Sequence, residues 1–253
     1  MIMIKAKKHL GQHFLTDSNI ANKISLSLLN PNNFPVLEIG PGMGILTKEL
    51  IKRNFDLSLV ELDAESVEYL KTNFLQNFNL LHADFLKMDL SQYFENELCI
   101  IGNFPYNISS QIFFKMLENR NIIPELCGMI QKEVAERIAS VHGNKTYGIL
   151  SVLAQLYYKV EYLFTVNENV FVPPPKVKSA VVRFTRLRSN IDNVDEKKLF
   201  VVVKTAFNQR RKTIKNSIKS LITENTDTEH PFFSLRPEQL KPEDFVALTN
   251  LLS

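Results

Sequence analysis

The chain has 253 residues, of which 45 % are hydrophobic and 23 % charged, with a formal net charge of +3. That length suits one large domain or a core domain with a small appendage, and the composition is that of an ordinary globular protein. No segment approaches the roughly 18–20 apolar residues that span a bilayer. The start, Met1-Ile2-Met3-Ile4-Lys5, lacks the apolar stretch and cleavage site of a secretory leader, so a cytoplasmic protein is expected. Cys99 and Cys127 sit in apolar runs, as small core residues do, and the histidines are scattered without zinc spacing. Neither a disulfide nor a metal is therefore expected.

In chain order, Thr16-Asp17-Ser18 offers capping oxygens for a helix through Ile20, Ile24 and Leu28, which Pro31 stops. Val36 to Ile39 reads as a buried strand and Ile45 to Arg53 as a helix. Leu57 to Glu61 is a second strand, followed by a helix capped by Asp63 and running through Leu70. Leu80 to His82 is a third strand, Leu98 to Ile101 a fourth, with a helix over Ser109 to Leu117. Leu126 to Ile130 is a fifth, with a helix over Lys132 to Ala139. Such alternation predicts an α/β fold with a parallel, doubly wound sheet.

Beyond Tyr147 a helix from Ile149 to Tyr158 leads into two β-rich segments, Lys159 to Val166 and Val177 to Thr185. Between them, Phe171-Val172-Pro173-Pro174-Pro175-Lys176 is too proline-rich for a central strand. Leu187 to Glu196 turns polar, which sets a domain boundary: residues 1–187 form the sheet domain and 188–253 a small all-helical one. The latter is expected to hold helices over Lys197 to Asn208, Arg211 to Ile222, Pro237 to Leu240 and Pro242 to Leu252.

Glu38-Ile39-Gly40-Pro41-Gly42-Met43-Gly44 joins the first strand to its helix. It is GxGxG, and Ile45 breaks the dinucleotide fingerprint; no Lys-Ser/Thr follows, which argues against a phosphate loop. Glycines let a ligand approach the backbone closely. They also suit a plain tight turn, so the neighbours decide. Glu61, ending the second strand, can accept hydrogen bonds from both ribose hydroxyls of a nucleoside. Asp84 can take an adenine amino group, with Phe85 or Leu86 against the ring, and Glu38 can attract the ammonium of an amino-acid tail. A nucleoside carrying a cationic amino acid describes S-adenosylmethionine.

Asn103-Phe104-Pro105-Tyr106 follows the fourth strand, which in a doubly wound sheet opens onto the same crevice as the first. An exocyclic adenine amine is a poor nucleophile because its lone pair is delocalised into the ring. The Asn103 side-chain oxygen and the Phe104 carbonyl can each accept one N6 hydrogen, concentrating that lone pair. Pro105 fixes the turn, and Tyr106 offers a stacking face worth about 1–3 kcal/mol. Positioning and desolvation then lower the barrier without a general base. An isolated string of this kind would be a turn with two core aromatics; its place beside the glycine loop points to adenine-N6 methylation.

With these motifs the sequence resembles the ribosomal RNA small-subunit adenine dimethyltransferases of the KsgA type. The similarity runs from Lys8-His9-Leu10-Gly11-Gln12-His13-Phe14-Leu15 to at least Ile218. It includes Gln131 to Arg137, Phe171 to Val177 and Phe207-Asn208-Gln209-Arg210-Arg211-Lys212. The resemblance implies a Rossmann-like class I methyltransferase fold, acting as a monomer on two adjacent adenosines in a hairpin loop near the 3′ end of 16S rRNA during small-subunit assembly. It implies cofactor contacts from His13, Leu15, Gly40, Glu61, Asp84 and Asn103, beside the Glu38 and Gly42 read above. Phe171 is implied to close over the target base opposite Tyr106. The family's usual Asn is His13 here; imidazole can still donate to the cofactor carboxylate, with a charge that depends on pH. Leu gives way to Phe104, which matters little if only its carbonyl acts.

The resemblance also gives the basic residues a task. Lys5, Lys7 and Lys8 precede any acidic residue, and Lys204 to Lys219 contains no Asp or Glu. Alone these are solvated faces. Beside an RNA site, Lys176, Arg210, Arg211, Lys212 and Lys215 are expected to touch phosphates. The nearest rival is the large-subunit adenine methyltransferase of the macrolide-resistance type. The Pro173-Pro174-Pro175 and Phe207 to Lys212 stretches favour the small-subunit family. A DNA adenine methyltransferase would need a larger target-recognition domain. A non-enzymatic RNA-binding assembly factor could have lost Gly42, Asn103 or Tyr106, and all three are present.

Overall fold

The structure, a computed structural model, describes residues 4–74 and 78–252. Met1, Ile2 and Met3, where a leader would begin, lie outside the described residues. The chain folds as two compact units, residues 1–135 with 161–186, and residues 136–160 with 187–253. The second unit thus begins earlier in the chain than the polar stretch after Leu187 suggests. The helix Ile149–Tyr157 belongs to it.

In the first unit, β2 (Val36–Ile39), β3 (Leu57–Glu61), β4 (Asn79–His82), β5 (Cys99–Asn103) and β6 (Glu125–Gln131) run parallel. The seven-stranded sheet has the order β4-β3-β2-β5-β6-β9-β7, with β7 at Tyr158–Val166 and β9 at Ser179–Arg186. β2 and β3 are buried along their whole length, which is why they are mostly apolar without a period-2 alternation. The five alternating strands form the expected parallel sheet, and the two later β-rich segments extend it on one side. β9 inserts between β6 and β7 and runs antiparallel to β6, with Ser179 opposite Gln131. Hydrophobic period distinguishes strands from helices, but it carries no information on strand direction.

The chain order reverses between β2 and β5, which lie side by side. Their carboxyl ends therefore frame a crevice. α1 (Ser18–Ser27) starts where Asp17 accepts from the N–H groups of Asn19 and Ile20, a cap worth about 1 kcal/mol. α2 (Ile45–Ile51) starts at Gly44, and α3 (Ala64–Asn73) is capped by Asp63. α4 (Ser109–Glu118) follows β5, and α5 (Lys132–Ala139) follows β6. A separate antiparallel ribbon pairs β1 (Phe14–Leu15) with β8 (Phe171–Val172), Leu15 lying opposite Phe171. The proline-rich segment expected to be loop thus begins with a short strand.

The second unit holds α6 (Ile149–Tyr157), α7 (Glu196–Asn208), α8 (Ile214–Ser217) and α9 (Pro242–Leu251). Tyr147, Phe207 and Phe245 form an aromatic row in its core, with ring centroids 6.0 and 5.8 Å apart. The helix expected over Arg211 to Ile222 shrinks to α8 and a 3₁₀ turn at Lys219–Leu221. Thr213 is extended, and the Ile214 N–H bonds to the Leu235 carbonyl at 2.7 Å. That tertiary tie ends helical continuity with the residues before it. Among the described residues no helix is long and apolar enough to cross a membrane.

Candidate active site

A cleft opens at the carboxyl ends of β2, β3 and β5. Its floor is the loop Gly40 to Gly44, whose three glycines all have positive φ, from 56 to 74°. At Gly42 two constraints coincide. Its φ is 56°, and a Cβ there would lie 2.9 Å from the Phe14 ring. Any side chain would either strain the turn or dislodge the ribbon that borders the cleft.

Two carboxylates are fixed in this floor. Glu61 ends β3 and is 6 % exposed; it accepts from Gly42 N at 3.1 Å and from Asp63 N at 2.9 Å. Burial raises its carboxyl above the ordinary range, and these backbone donors oppose the rise. Glu38 is fully buried in β2 and accepts from Thr47 Oγ1 at 2.7 Å. Burial pushes it up to about 8, the Thr47 hydrogen bond lowers it, and Glu61 adds to the rise. On the third side Asp84 accepts from Leu86 N at 3.0 Å, and its Oδ2 is 3.6 Å from Lys87 Nζ. Phe85, buried, contributes an apolar wall; Leu86 is not among the lining residues.

β5 extends through Asn103, so the motif residue sits on the strand end rather than beyond it. Its Nδ2 donates to the His13 carbonyl at 3.0 Å, which turns Oδ1 the other way as an acceptor. Phe104 is 1 % exposed, and its N–H bonds to the Met129 carbonyl at 3.0 Å. The ring occupies space left by two strand glycines. A Cβ on Gly128 would lie 2.1 Å from it, and one on Gly102 2.7 Å. These glycines had a sequence signal, since glycine inside an apolar strand marks close approach, yet the motif reading passes over them. Pro105 and Ile108 close the turn through a 3.2 Å backbone bond.

Tyr106 bonds through its hydroxyl to Ser179 Oγ at 2.5 Å, a partner with no sequence signature. One face of its ring stacks on His13, with centroids 5.3 Å apart and planes 28° from parallel. His13 Nδ1 lies 2.8 Å from the Pro173 carbonyl, to which it must donate. The neutral ring then presents Nε2 as an acceptor, so donation to a cofactor carboxylate would need the doubly protonated form. Leu15 is 4 % and Phe171 2 % exposed, both within the apolar core cluster. Leu15 also borders the cleft, and Phe171 does not. The stacking role implied for Phe171 does not fit this position; its ring anchors β8.

Of the basic residues, Lys176, Arg211, Lys212 and Lys215 are exposed and Arg210 is half-buried. Arg210 donates to the Asn144 carbonyl at 3.4 Å, and Lys215 lies 3.5 Å from Glu229. Lys7 is turned to Asp63 instead of solvent.

A nucleoside with a cationic amino-acid tail fits this donor set: a glycine floor with close backbone approach, carboxylates at the ends of β2 and β3, and Asp84 across from them. Fold and site together define a class I S-adenosylmethionine-dependent methyltransferase. The model of the ribosomal RNA adenine dimethylase family matches residues 3–240, and the chain belongs to that family. It is 56 % identical over 251 residues to ribosomal RNA small subunit methyltransferase A of Parabacteroides distasonis, covering 98 % of this chain and 94 % of the relative. A dimethyladenosine transferase from Plasmodium falciparum has the same fold, with a TM-score of 0.80 at 25 % identity over 93 % of this chain and 96 % of that one. The 23S rRNA methyltransferase ErmE shares the fold at a TM-score of 0.67 and 24 % identity, covering 92 % of this chain and 99 % of ErmE. Fold alone therefore does not separate the two RNA substrates. The chain is an enzyme, and its cofactor is S-adenosylmethionine.

Proposed function

We propose that this enzyme dimethylates the N6 amino groups of two adjacent adenosines in the 3′-terminal hairpin loop of 16S rRNA during small-subunit assembly. It does so in the cytoplasm, as a monomer. When bound, S-adenosylmethionine supplies an electrophilic methyl group. Glu61 holds the ribose, Asp84 the adenine amino group and Glu38 the ammonium, while the backbone at Gly40 and Gly42 admits the ligand. Leu15 and His13 border the same space.

The observation that carries the reading is the orientation of the Asn103 amide. With Nδ2 spent on His13, Oδ1 is free to accept one N6 hydrogen, and the Phe104 carbonyl takes the other. Pro105 keeps that carbonyl aimed. Tyr106 stacks the base through the face that His13 leaves open. Lys176, Arg210, Arg211, Lys212 and Lys215 hold phosphates and position the RNA without reading its sequence. The division of labour is then a cofactor and catalytic unit over residues 1–135 and 161–186 and an RNA-binding unit over residues 136–160 and 187–253. Extensive identity to a relative named for the small subunit supports this substrate over the large-subunit one.

The test is to incubate the protein with labelled cofactor and under-methylated small subunits and to map the product by mass spectrometry. Two dimethylated neighbouring adenosines are expected. Label on large-subunit RNA, or none on either subunit, would overturn the assignment.

A further inference from the structure

Lys7 belongs by composition to a basic cluster with Lys5 and Lys8, but the fold gives it a different partner. Its Nζ lies 2.5 Å from Asp63 Oδ1 and 2.9 Å from Glu65 Oε1. Gln12 Nε2 donates to Asp63 Oδ2 at 3.3 Å, while Gln12 Oε1 accepts from Lys7 N at 2.8 Å. Asp63 is 4 % exposed, and its N–H donates to Glu61 Oε1. Burial alone would raise the Asp63 carboxyl. The hydrogen bonds from Lys7, Gln12 and Ser66 outweigh it and hold the carboxyl below its usual range.

Capping α3 does not require this arrangement. The cap bond itself is long, 3.4 Å to Glu65 N, and Ser66 Oγ already donates to Oδ2 at 3.1 Å. The extra donors come from a segment more than fifty positions away in sequence. That segment continues directly into the wall of the cleft, since residues 10–13 line it.

We propose that Lys7 and Gln12 are positioning residues for the cofactor. Through Asp63 they fix the Glu61 carboxylate, and they latch residues 7–13 as a strap along the cleft. The proposal rests on the reading of the cleft as the methyl-donor site. Ordering a strap of several residues costs conformational entropy, and a strap ordered before binding removes that cost from the affinity. Loss of the latch should accordingly weaken cofactor binding and leave the bound, catalytically competent state unchanged.

The experiment is calorimetric titration of the full chain with S-adenosylmethionine, together with kcat and both KM values on under-methylated small subunits. Lys7→Met is expected to raise the cofactor Kd and KM about five- to tenfold, the scale of one partly exposed charge-assisted contact. Its kcat at saturating cofactor and its KM for subunits should stay within about twofold of wild type on the same argument. Lys7→Arg should restore affinity. A Lys7→Met protein that binds the cofactor as wild type does would overturn the latch. So would a loss that follows a lowered melting temperature and is not rescued by Lys7→Arg. A wild-type protein that binds no S-adenosylmethionine would overturn the reading of the cleft, and the latch with it.

Discussion

The side-chain amide of Asn103 donates to the backbone carbonyl of His13 at 3.0 Å, and that bond decides which of its two ends faces the cleft. Asn103→Ala removes the acceptor for the substrate amine. Asn103→Asp keeps the shape but sets an oxygen against the His13 carbonyl, where two acceptors repel. Both variants should lose roughly 100- to 1000-fold in methyl transfer, the scale of one misplaced polar group at a reacting centre. RNA binding should persist in each. Single-turnover rates beside filter binding measure this, and near-wild-type turnover by Asn103→Asp would sink the orientation argument.

Phe104 depends on Gly128 for its space. A Cβ at residue 128 would stand 2.1 Å from the Phe104 ring, inside the van der Waals limit. Gly128→Ala should cost about 1–3 kcal/mol in stability, as overpacking does. It should also lower activity, because the ring is tied to the Phe104 carbonyl offered to the substrate. Phe104→Leu in the same chain should recover most of both losses. Thermal melts and initial rates on the single and double variants make the comparison; a double variant no better than Gly128→Ala would show that the clash is not the cause.

The parts of this molecule that local pattern controls were legible in the sequence. Asp17 and Asp63 cap where their side chains suggest, and Val36 to Ile39 and Leu57 to Glu61 are strands. The glycine loop and Asn103 meet at the reversal point because parallel α/β chains fold by a known rule. Relationships fixed only by distant pairing were not legible. The ribbon between Phe14–Leu15 and Phe171–Val172 buries Phe171, which no local feature announces. Ser179 reaches the Tyr106 hydroxyl only because β9 inserts antiparallel beside β6. Lys7 reads as one more solvated basic residue because charge composition does not show which carboxylate folds against it.

Glu38 sets a pH dependence. Burial first, with Glu61 adding and Thr47 opposing, raises its carboxyl from 4.5 to about 8. Between those values the folded protein binds the proton more tightly than the unfolded chain. This contribution to stability is therefore full below the unfolded value and is lost as pH rises toward the folded one. Glu38→Gln should flatten the fall in melting temperature between about pH 4.5 and about pH 8. Cofactor affinity should run the other way. The ionised form attracts the ammonium group, so the shift in melting temperature produced by S-adenosylmethionine should grow with pH in wild type and not in Glu38→Gln. A cofactor-induced shift with the same pH profile in both proteins would remove Glu38 from the ammonium site.

Arg211 and Lys212 are exposed in the turn that follows α7. If they neutralise RNA phosphates, each releases condensed counterions, and affinity falls with salt in proportion to their number. Replacing both with Ala should reduce the slope of log affinity against log salt by about 1.4–1.8, taking about 0.7–0.9 per phosphate. The melting temperature should hold, because neither side chain is buried. Binding to under-methylated small subunits across a salt series reads the slope directly. The loss should appear in KM for the subunit, with kcat at saturation unchanged, because phosphate contacts position the RNA in ground and transition states alike. A double variant with the wild-type slope would move the RNA contact away from this stretch.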